Sequence, residues 1–303
     1  MQKHDREKSI KVNIITTNSV KLGISLLLLS ILYLLILDFV YLFFPNFMMH
    51  FLLILVFFTL AIMQFLYYKR IRKYALLDRV NIIDRLNHES GERGKEYSQI
   101  ESLFSIFSLI KFNHPLPSMR NWAISPDFAV LIISLLDQHK PKVVLEAGSG
   151  VSTIITGYRL KALGQGKVLS LDHEAEFSQK SQDNIQLHDL QDVARVIHAP
   201  LINFDIQGKR WLWYDTDKLK EYLNENIDFL IIDGPPYFIQ DLSRYPALPI
   251  LFQRLSDNAT IVLDDSNRAM EEKILELWVK EFRFSSVEKI FTEKGACVLR
   301  LNK

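Results

Sequence analysis

The sequence is poor in cysteine and in net charge. Cys297 is the only cysteine, so no intramolecular disulfide can form, and its position in the apolar run 296–299 is typical of a buried small side chain. The absence of disulfides fits a reducing compartment. The formal net charge is +1 over 303 residues. Because general nucleic-acid binders carry a basic excess, we expect no nucleic-acid partner.

Charge is also missing from a long N-terminal stretch, in which Asp38 is the only charged residue between Lys21 and Lys69. Two apolar segments, residues 22–44 and 47–67, are each long enough to cross a hydrocarbon core of about 30 Å. They are joined by Pro45-Asn46, a short turn signal. The pattern predicts two transmembrane helices within residues 22–68 that form a hairpin.

Basic residues flank this hairpin on both sides, whereas the connecting turn has none. They are Lys3, Arg6, Lys8, Lys11 and Lys21 before it, and Lys69, Arg70, Arg72, Lys73 and Arg79 after it. By the positive-inside rule, both termini lie in the cytoplasm. We therefore expect an integral protein of the inner or plasma membrane, with a cytoplasmic basic N-terminus (1–21) and a cytoplasmic C-terminal domain.

Residues 69–96 are charged and helix-prone, and they connect the hairpin to the rest of the chain. They fit a juxtamembrane helix on the anionic leaflet, a short helix that forms a homodimer, or a solvated linker. Glycines at 91 and 94 predict a flexible break at 88–94. The remaining residues, 97–303, are enough for one α/β domain with its own core.

Short apolar strands and helical stretches alternate through this domain. The predicted strands are 143–146, 167–171, 194–198, 228–232, 260–263, 284–291 and 296–301. Such alternation is typical of an α/β fold, with a Rossmann-like, mostly parallel sheet of about seven strands and helices on both faces. Because only a few residues join the final pair, we expect the last strand to be antiparallel.

Polar groups follow five of these strands directly. The strand ends read Glu146-Ala-Gly148-Ser-Gly150-Val-Ser152, Asp172-His173-Glu174, His198-Ala199-Pro200, Asp233-Gly234-Pro235 and Asp264-Asp265-Ser266. In open α/β sheets, ligands bind in a crevice outside the carboxyl ends of the strands. We therefore expect a ligand crevice at this edge.

The spacing of an acid from the glycines indicates the kind of ligand. Asp172 follows Gly150 by about twenty residues, where an acid holds a ribose diol in nucleotide-type sites. Position 153 is Thr, whereas a dinucleotide fingerprint has a third Gly there. A nucleoside without a pyrophosphate fits better, although a dinucleotide or a nucleotide sugar remains an alternative.

At these motifs the chain resembles class I S-adenosylmethionine-dependent methyltransferases, and within them a bacterial subgroup related to small-molecule O-methyltransferases. The matching stretches are 145–153, 169–173, 232–236 and 263–268, with 122–126 and 213–215 outside the strands. The resemblance covers residues 97–303 and not the predicted hairpin.

The resemblance implies S-adenosylmethionine as cofactor and a set of residues around it. Glu146, Gly148, Gly150 and Ser152 would line its methionine and ribose side, Asp172 would bind the ribose hydroxyls, His173 would contact the cofactor, and His198 and Ala199 would lie beside the adenine. Asp233 would lie under the sulfonium and the acceptor. Trp122, Tyr214, Tyr237 and Arg244 are candidates for the acceptor pocket.

Acids at the ends of adjacent strands point to the chemistry. Asp233 and Asp265 are the candidate catalytic residues, since a hydroxyl acceptor needs deprotonation or a Lewis acid. Asp233, Asp264 and Asp265 together could hold Mg²⁺ or another divalent cation. The related metal-dependent enzymes usually have Asp-Asn where this chain has Asp264-Asp265. Helix capping, or an ion pair with Arg268, is the structural alternative for Asp264.

These patterns together predict a membrane-anchored S-adenosylmethionine-dependent methyltransferase. We expect methylation on oxygen of a small-molecule, glycan or lipid-linked acceptor. The alternatives are a nucleotide-sugar or dinucleotide-binding Rossmann-like enzyme, and a non-catalytic membrane-anchored protein that binds the cofactor.

Overall fold

The computed structural model describes residues 28–43, 47–119 and 121–303. The chain divides into two compact units, Met1–His88 and Glu89–Lys303. The predicted basic N-terminus, the start of the first predicted span (22–27) and the Pro45-Asn46 turn lie outside the described residues.

The first unit contains apolar helical segments. Helix α1 is Leu28–Phe43, and helix α2 begins at Phe47 and ends at Leu109. Within the described residues, one helical stretch, Phe51–Tyr74, is long and apolar enough to cross a membrane, with a mean hydropathy of 2.2. Helix α1 is apolar but shorter. The second predicted span therefore has a counterpart in this stretch, and the two-helix hairpin stays a prediction.

Helix α2 continues through residues 88–94, where the sequence predicts a break. Gly91 and Gly94 each cost about 1 kcal/mol relative to Ala in a helix interior. Glu, Lys and Arg, which are good helix formers, surround them. The residues between the apolar segment and the C-terminal domain are therefore helical rather than a flexible linker.

The second unit is built on a seven-stranded sheet in the order β3-β2-β1-β6-β7-β9-β8, with a separate hairpin of β4 and β5. The strands are β1 Val143–Ala147, β2 Lys167–Asp172, β3 Ala194–His198, β4 Leu201–Ile206, β5 Lys209–Tyr214, β6 Ile227–Ile232, β7 Leu255–Asp264, β8 Phe284–Ile290 and β9 Ala296–Leu301. Strand β9 is antiparallel to β7 and to β8, while the pairs from β3 to β7 are parallel. The predicted sheet with an antiparallel last strand is confirmed.

Helices cover both faces of this sheet. They are α3 Pro126–His139, α4 Val151–Leu163, α5 Ala175–Leu187, α6 Ala247–Leu251 and α7 Ala269–Glu281. Side chains alternate along β1, so that Val144 packs into the core cluster of Ile132 and Ile154, and Leu145 into the cluster of Trp278 on the opposite face. Burial on both faces explains why the strands read as continuous apolar runs.

The hairpin of β4 and β5 was not predicted from the sequence. Its two-residue turn, Gln207-Gly208, has positive φ at both positions (54° and 77°), as a type I′ turn requires. The side-chain amide of Gln240 binds both backbone groups of Leu212, at 2.9 and 2.8 Å, and so pairs with β5. The hairpin places the buried Tyr214 at the end of β5.

Candidate functional site

A cavity of about 430 Å³ opens at the carboxyl ends of β1, β2, β6 and β7. Strand β1 lies between β2 and β6, so the strand order reverses there, at the point where α/β sheets bind ligands. Among the residues that the sequence singles out for the cofactor or for catalysis, the cavity is lined by Gly148, Gly150, Ser152, Asp172, His173, Asp233 and Asp265. The four candidates for the acceptor pocket, Trp122, Tyr214, Tyr237 and Arg244, also line it.

The turn after β1 brings bare backbone to the cavity. Gly148 has φ +105°, which L side chains rarely adopt, and its N–H donates to the Leu171 carbonyl at 2.9 Å. Gly150 precedes helix α4, and Ser152 lies in the first turn of that helix. A ligand at this turn therefore meets the free N–H groups of a helix N-terminus.

Glu146 lies beneath this turn, outside the lining of the cavity. Its Oε2 accepts hydrogen bonds from the Thr153 hydroxyl, at 2.5 Å, and from the Ser170 hydroxyl. The Gly150 N–H in turn donates to the Thr153 Oγ1 at 3.2 Å. Burial raises the pKa of Glu146, and these hydroxyl donors oppose the rise. Glu146 therefore supports the glycine turn, with Thr153 linking the two.

The acid after β2 faces the cavity. Asp172 Oδ2 accepts a hydrogen bond from the Ser149 hydroxyl at 2.6 Å, and Oδ1 accepts from the Glu174 N–H at 3.1 Å. His173 lines the cavity beside it. Two carboxylate oxygens held at the cavity wall provide acceptors for a vicinal diol.

One face of helix α5 also belongs to the site, although it was not predicted from the sequence. Phe177, Ser181 and Asn184 line the cavity from it. They are separated by four and three residues, the spacing of one helix face, directly after Asp172. That periodicity is the sequence signal that could have indicated this face of the helix.

The end of β3 contributes nothing to the cavity lining. His198 is exposed, and Ala199 is fully buried with its N–H bound to the Asp172 carbonyl at 2.7 Å. Since β3 is the outermost strand on this side, its carboxyl end supports Asp172 from behind.

Tyr214 and Gly234 are fitted closely to each other at the cavity wall. A Cβ at Gly234 would lie 2.2 Å from the Tyr214 hydroxyl oxygen and 3.2 Å from the Ala147 carbonyl oxygen. Burial and the nearby Asp172 and Asp233 raise the pKa of Tyr214 well above its ordinary value. The tyrosine therefore keeps its proton and can donate a hydrogen bond into the cavity.

The acids after β6 and β7 converge as the sequence predicts. Carboxylate oxygens of Asp233, Asp264 and Asp265 all lie within 4.8 Å of one another. Asp233 and Asp265 line the cavity, whereas Asp264 is fully buried and its Oδ1 accepts from the Asp265 N–H at 2.8 Å. Burial raises the pKa of Asp233 to about 6 although Arg244 opposes the rise, and burial raises that of Asp264 well above its ordinary value.

A buried arginine stands among these acids. The Arg244 Nη2 lies 2.7 Å from Asp265 Oδ2 and 3.2 Å from Asp233 Oδ1, and its side chain is only 3% exposed. A divalent cation held by these three acids would lie beside a guanidinium of like charge that already binds two of their carboxylates. The arginine therefore opposes a divalent cation, and the residues present do not fit one.

Three aromatic side chains form the mouth of the cavity. Trp122 and Tyr237 are stacked with ring centroids 6.4 Å apart, and Phe238 meets Trp122 edge-on at 5.8 Å. Trp122 is 68% exposed, and the Arg268 guanidinium lies 5.2 Å from the Tyr237 centroid. The mouth thus offers aromatic faces beside a cation.

The turn between β8 and β9 also reaches this mouth. The Lys294 Nζ donates to the Ala123 carbonyl at 3.0 Å, next to Trp122, and the Glu293 N–H donates to Asp127 at 2.7 Å. Lys294 itself lines the cavity. Hydrogen bonds therefore fix the loop that carries Trp122 to the last strand pair of the sheet.

Comparison with known proteins agrees with this geometry. Residues 145–266 match a protein family described as a methyltransferase domain. A methyltransferase structure from Podospora anserina with bound SAH is similar over 71% of this chain and 96% of that one, at 13% identity and a TM-score of 0.50. That likeness shows a shared fold.

Two further solved structures are similar at lower TM-scores. An O-methyltransferase from Bacillus cereus in complex with SAH has 17% identity and a TM-score of 0.46 over 68% of this chain and 91% of that one. An O-methyltransferase from Streptomyces achromogenes in complex with SAM has 12% identity and a TM-score of 0.45 over 60% and 82%. Among curated proteins, no sequence matches this chain.

We predict that Gly234→Ala lowers the melting temperature of the full chain in detergent by several degrees, because overpacking of this kind costs about 1–3 kcal/mol. Adding Tyr214→Phe should recover part of the loss, since it removes the oxygen that the new methyl group meets first. Gly94→Ala is the control, because nothing lies within 4 Å of a Cβ there, and it should keep or raise the melting temperature since Ala favours a helix interior. Thermal unfolding measures the wild type, both single variants, the double variant and the control, and fully additive losses in the double variant would contradict the contact.

Proposed function

We propose that this methyltransferase moves the methyl group of S-adenosylmethionine, its donor, onto a hydroxyl oxygen of a membrane-associated acceptor. The observation that carries the proposal is the meeting in one cavity of the glycine turn, the Asp172 carboxylate and the Asp233 carboxylate. These are the groups that a nucleoside donor and a hydroxyl acceptor each require.

The donor occupies the side of the cavity formed by β1, β2 and α5. Asp172 accepts hydrogen bonds from the ribose hydroxyls, and Gly148, Gly150 and Ser152 face the methionine part at the start of α4. The Phe177 side of α5 packs on the adenosine. The Thr153 hydroxyl is hydrogen-bonded to Glu146 and to the Gly150 N–H. Because this position holds Thr and not the third glycine that a pyrophosphate requires, the turn favours this donor over a dinucleotide.

Asp233 accepts the proton of the acceptor hydroxyl. Methyl transfer is an in-line displacement, so the protein must align the two reactants and make the oxygen a better nucleophile. Asp233 is ionised at neutral pH, since its pKa is about 6, and it lines the cavity between the donor side and the aromatic mouth. Asp265 is held by both Arg244 and Arg268, at 2.7 and 2.8 Å, so we assign it a positioning role.

The acceptor enters over Trp122, Tyr237 and Phe238. Aromatic faces bind planar rings and the apolar faces of sugars, and the nearby Arg268 favours an acceptor with negative charge. A phenolic or sugar hydroxyl on a small molecule, glycan or lipid-linked acceptor satisfies both features.

Membrane anchoring is the second part of the proposal. The apolar stretch Phe51–Tyr74 supports one span, and the predicted hairpin of 22–44 and 47–67 would keep both termini and the methyltransferase domain in the cytoplasm. Anchored there, the domain methylates an acceptor at the cytoplasmic leaflet. The competing function is a binder that holds the donor without turnover.

The full chain, incubated with S-adenosylmethionine labelled in its methyl group and with total cell extract, should transfer label to the lipid-soluble fraction. The label should survive mild alkali, because methyl ethers resist hydrolysis and methyl esters do not. Extraction and scintillation counting measure the transfer. Label confined to water-soluble products would contradict the membrane acceptor. Donor binding without any transfer would support the binder instead.

Asp172→Ala should weaken binding of S-adenosylmethionine roughly 10- to 100-fold, because hydrogen bonds to a charged group contribute about 1.5–3 kcal/mol. Isothermal titration of the full chain in detergent measures the affinity. Asp183→Ala is the matched control, since that acid lies on the exposed side of α5. Equal affinities of the two variants would show that Asp172 does not hold the donor.

The rate of methyl transfer should rise with pH through about 6 and level off above it, because Asp233 acts as a base only after it loses its proton. Below that pH, the rate should fall about tenfold per unit. Asp233→Asn should retain donor binding and lose transfer. A rate independent of pH between 5 and 8 would exclude Asp233 as the base.

A further inference from the structure

We propose that Arg244 is the fixed cation of this site, so that methyl transfer proceeds without a divalent metal ion. The part that concerns transfer rests on the proposed function, whereas the exclusion of a metal from the acid cluster rests on the contacts of Arg244 alone. The cluster comprises Asp233, Asp264 and Asp265, and Arg244 binds all three residues.

The contacts of the guanidinium reach the ends of two neighbouring strands. Nη1 donates to the Asp264 carbonyl at 2.9 Å, and Nη2 donates to the Asp233 carbonyl at 2.6 Å. The same Nη2 bonds the carboxylates of Asp233 and Asp265. A planar fork that binds two carbonyl and two carboxylate oxygens across β6 and β7 fixes the separation of the strand ends as well as their charge.

Buried residues flank Arg244 in the chain. The side chain is buried, and its neighbours Ser243 and Tyr245 are buried as well. The Ser243 hydroxyl donates to the Pro235 carbonyl at 3.1 Å, which holds the loop after Asp233. To admit a metal ion among the carboxylates, the arginine would have to give up its carbonyl and carboxylate partners together.

A second arginine and a fourth acid adjoin the cluster. Arg268 Nη1 lies 2.8 Å from Asp265 Oδ2, and Glu271 Oε1 lies 3.9 Å from nitrogens of both arginines. Two guanidinium groups thus accompany the carboxylates. Buried charges are tolerated when they are paired, and a dication would compete with the two guanidinium groups for the carboxylates of Asp233 and Asp265.

With Arg244 in place of a metal ion, the acceptor needs different groups in order to bind. A metal ion would bind the acceptor oxygen directly, and a second oxygen on the acceptor would strengthen the complex by chelation. With Arg244 in that place, the acceptor meets the Asp233 carboxylate, whose position the arginine sets. One hydroxyl beside a ring or sugar face is then sufficient for the reaction.

Binding of Mn²⁺ to the full chain, measured by electron paramagnetic resonance, tests the exclusion directly. The wild-type protein should show no saturable binding below millimolar Mn²⁺. Arg244→Ala should bind Mn²⁺ at least tenfold more tightly, because it leaves three converging carboxylates without their cation. Arg159→Ala is the matched control, since it frees Asp137 elsewhere in the fold. Micromolar binding by the wild type, lost in Asp264→Asn, would overturn the proposal.

Methyl transfer provides a second measurement that does not depend on the folding of the variant. Wild-type transfer should change less than twofold when EDTA replaces Mg²⁺, and a tenfold loss restored by Mg²⁺ would overturn the proposal. Arg244→Ala, confirmed as folded by its binding of S-adenosylmethionine, should lose transfer and regain part of it with Mg²⁺. Failure of a folded variant to gain either Mn²⁺ binding or rescue would count against the assignment. Absence of donor binding in the wild type would instead contradict the proposed function.

Discussion

The hydrogen bonds of Arg244 to the carbonyls of Asp233 and Asp264 are the constraint on which the acceptor side of the site depends. They join the ends of β6 and β7 at the place where three acids converge. Like charges this close repel strongly in a medium of low dielectric, so a cation among them stabilises the cluster. The geometry of the three acids thus depends on one buried ion network.

The donor side is held in a different way. Glu146, Thr153 and Ser170 form a buried hydrogen-bonded group beneath the glycine turn, and no cation takes part in their contacts. The turn therefore keeps its shape through neutral donors and one acid, and its residues line the cavity. The two halves of the cavity meet at Gly234, whose lack of a side chain leaves room for the Tyr214 hydroxyl.

Much of this arrangement was readable from the sequence, and the failures have physical causes. Continuous apolar strands and their polar ends predicted the sheet and the positions of Asp172, Asp233 and Asp265, because parallel strands bring their carboxyl ends to one edge. Glu146 was expected at the ligand, and it is buried beneath the glycine turn, because strand alternation alone does not reveal which residue near a strand end reaches a cavity. His198 and Ala199 also lie at the carboxyl end of a strand. They do not reach the cavity, because β3 is the outermost strand on that side of the sheet.

The role of Arg244 could not be predicted for another reason. It lies in a loop eleven residues after Asp233 in the chain, and only the tertiary fold brings it to the acids. In helix α2 the local signal itself was misleading. Two glycines predicted a break at 88–94, but the helix formers around them keep this segment helical in the structure. Local sequence signals predicted the helices and strands well. The arrangement of charges in the site depends instead on contacts between residues that are distant in the chain.

The hydrogen bonds of Glu293 and Lys294 have an implication for how such a fold diversifies. They place the hairpin turn between β8 and β9 against the loop that carries Trp122, at the mouth of the cavity. Changes of length or sequence in that turn would reshape the entrance while the nucleoside pocket stayed intact. A lineage could thereby exchange one acceptor for another through a few substitutions in a surface turn, without rebuilding the catalytic centre.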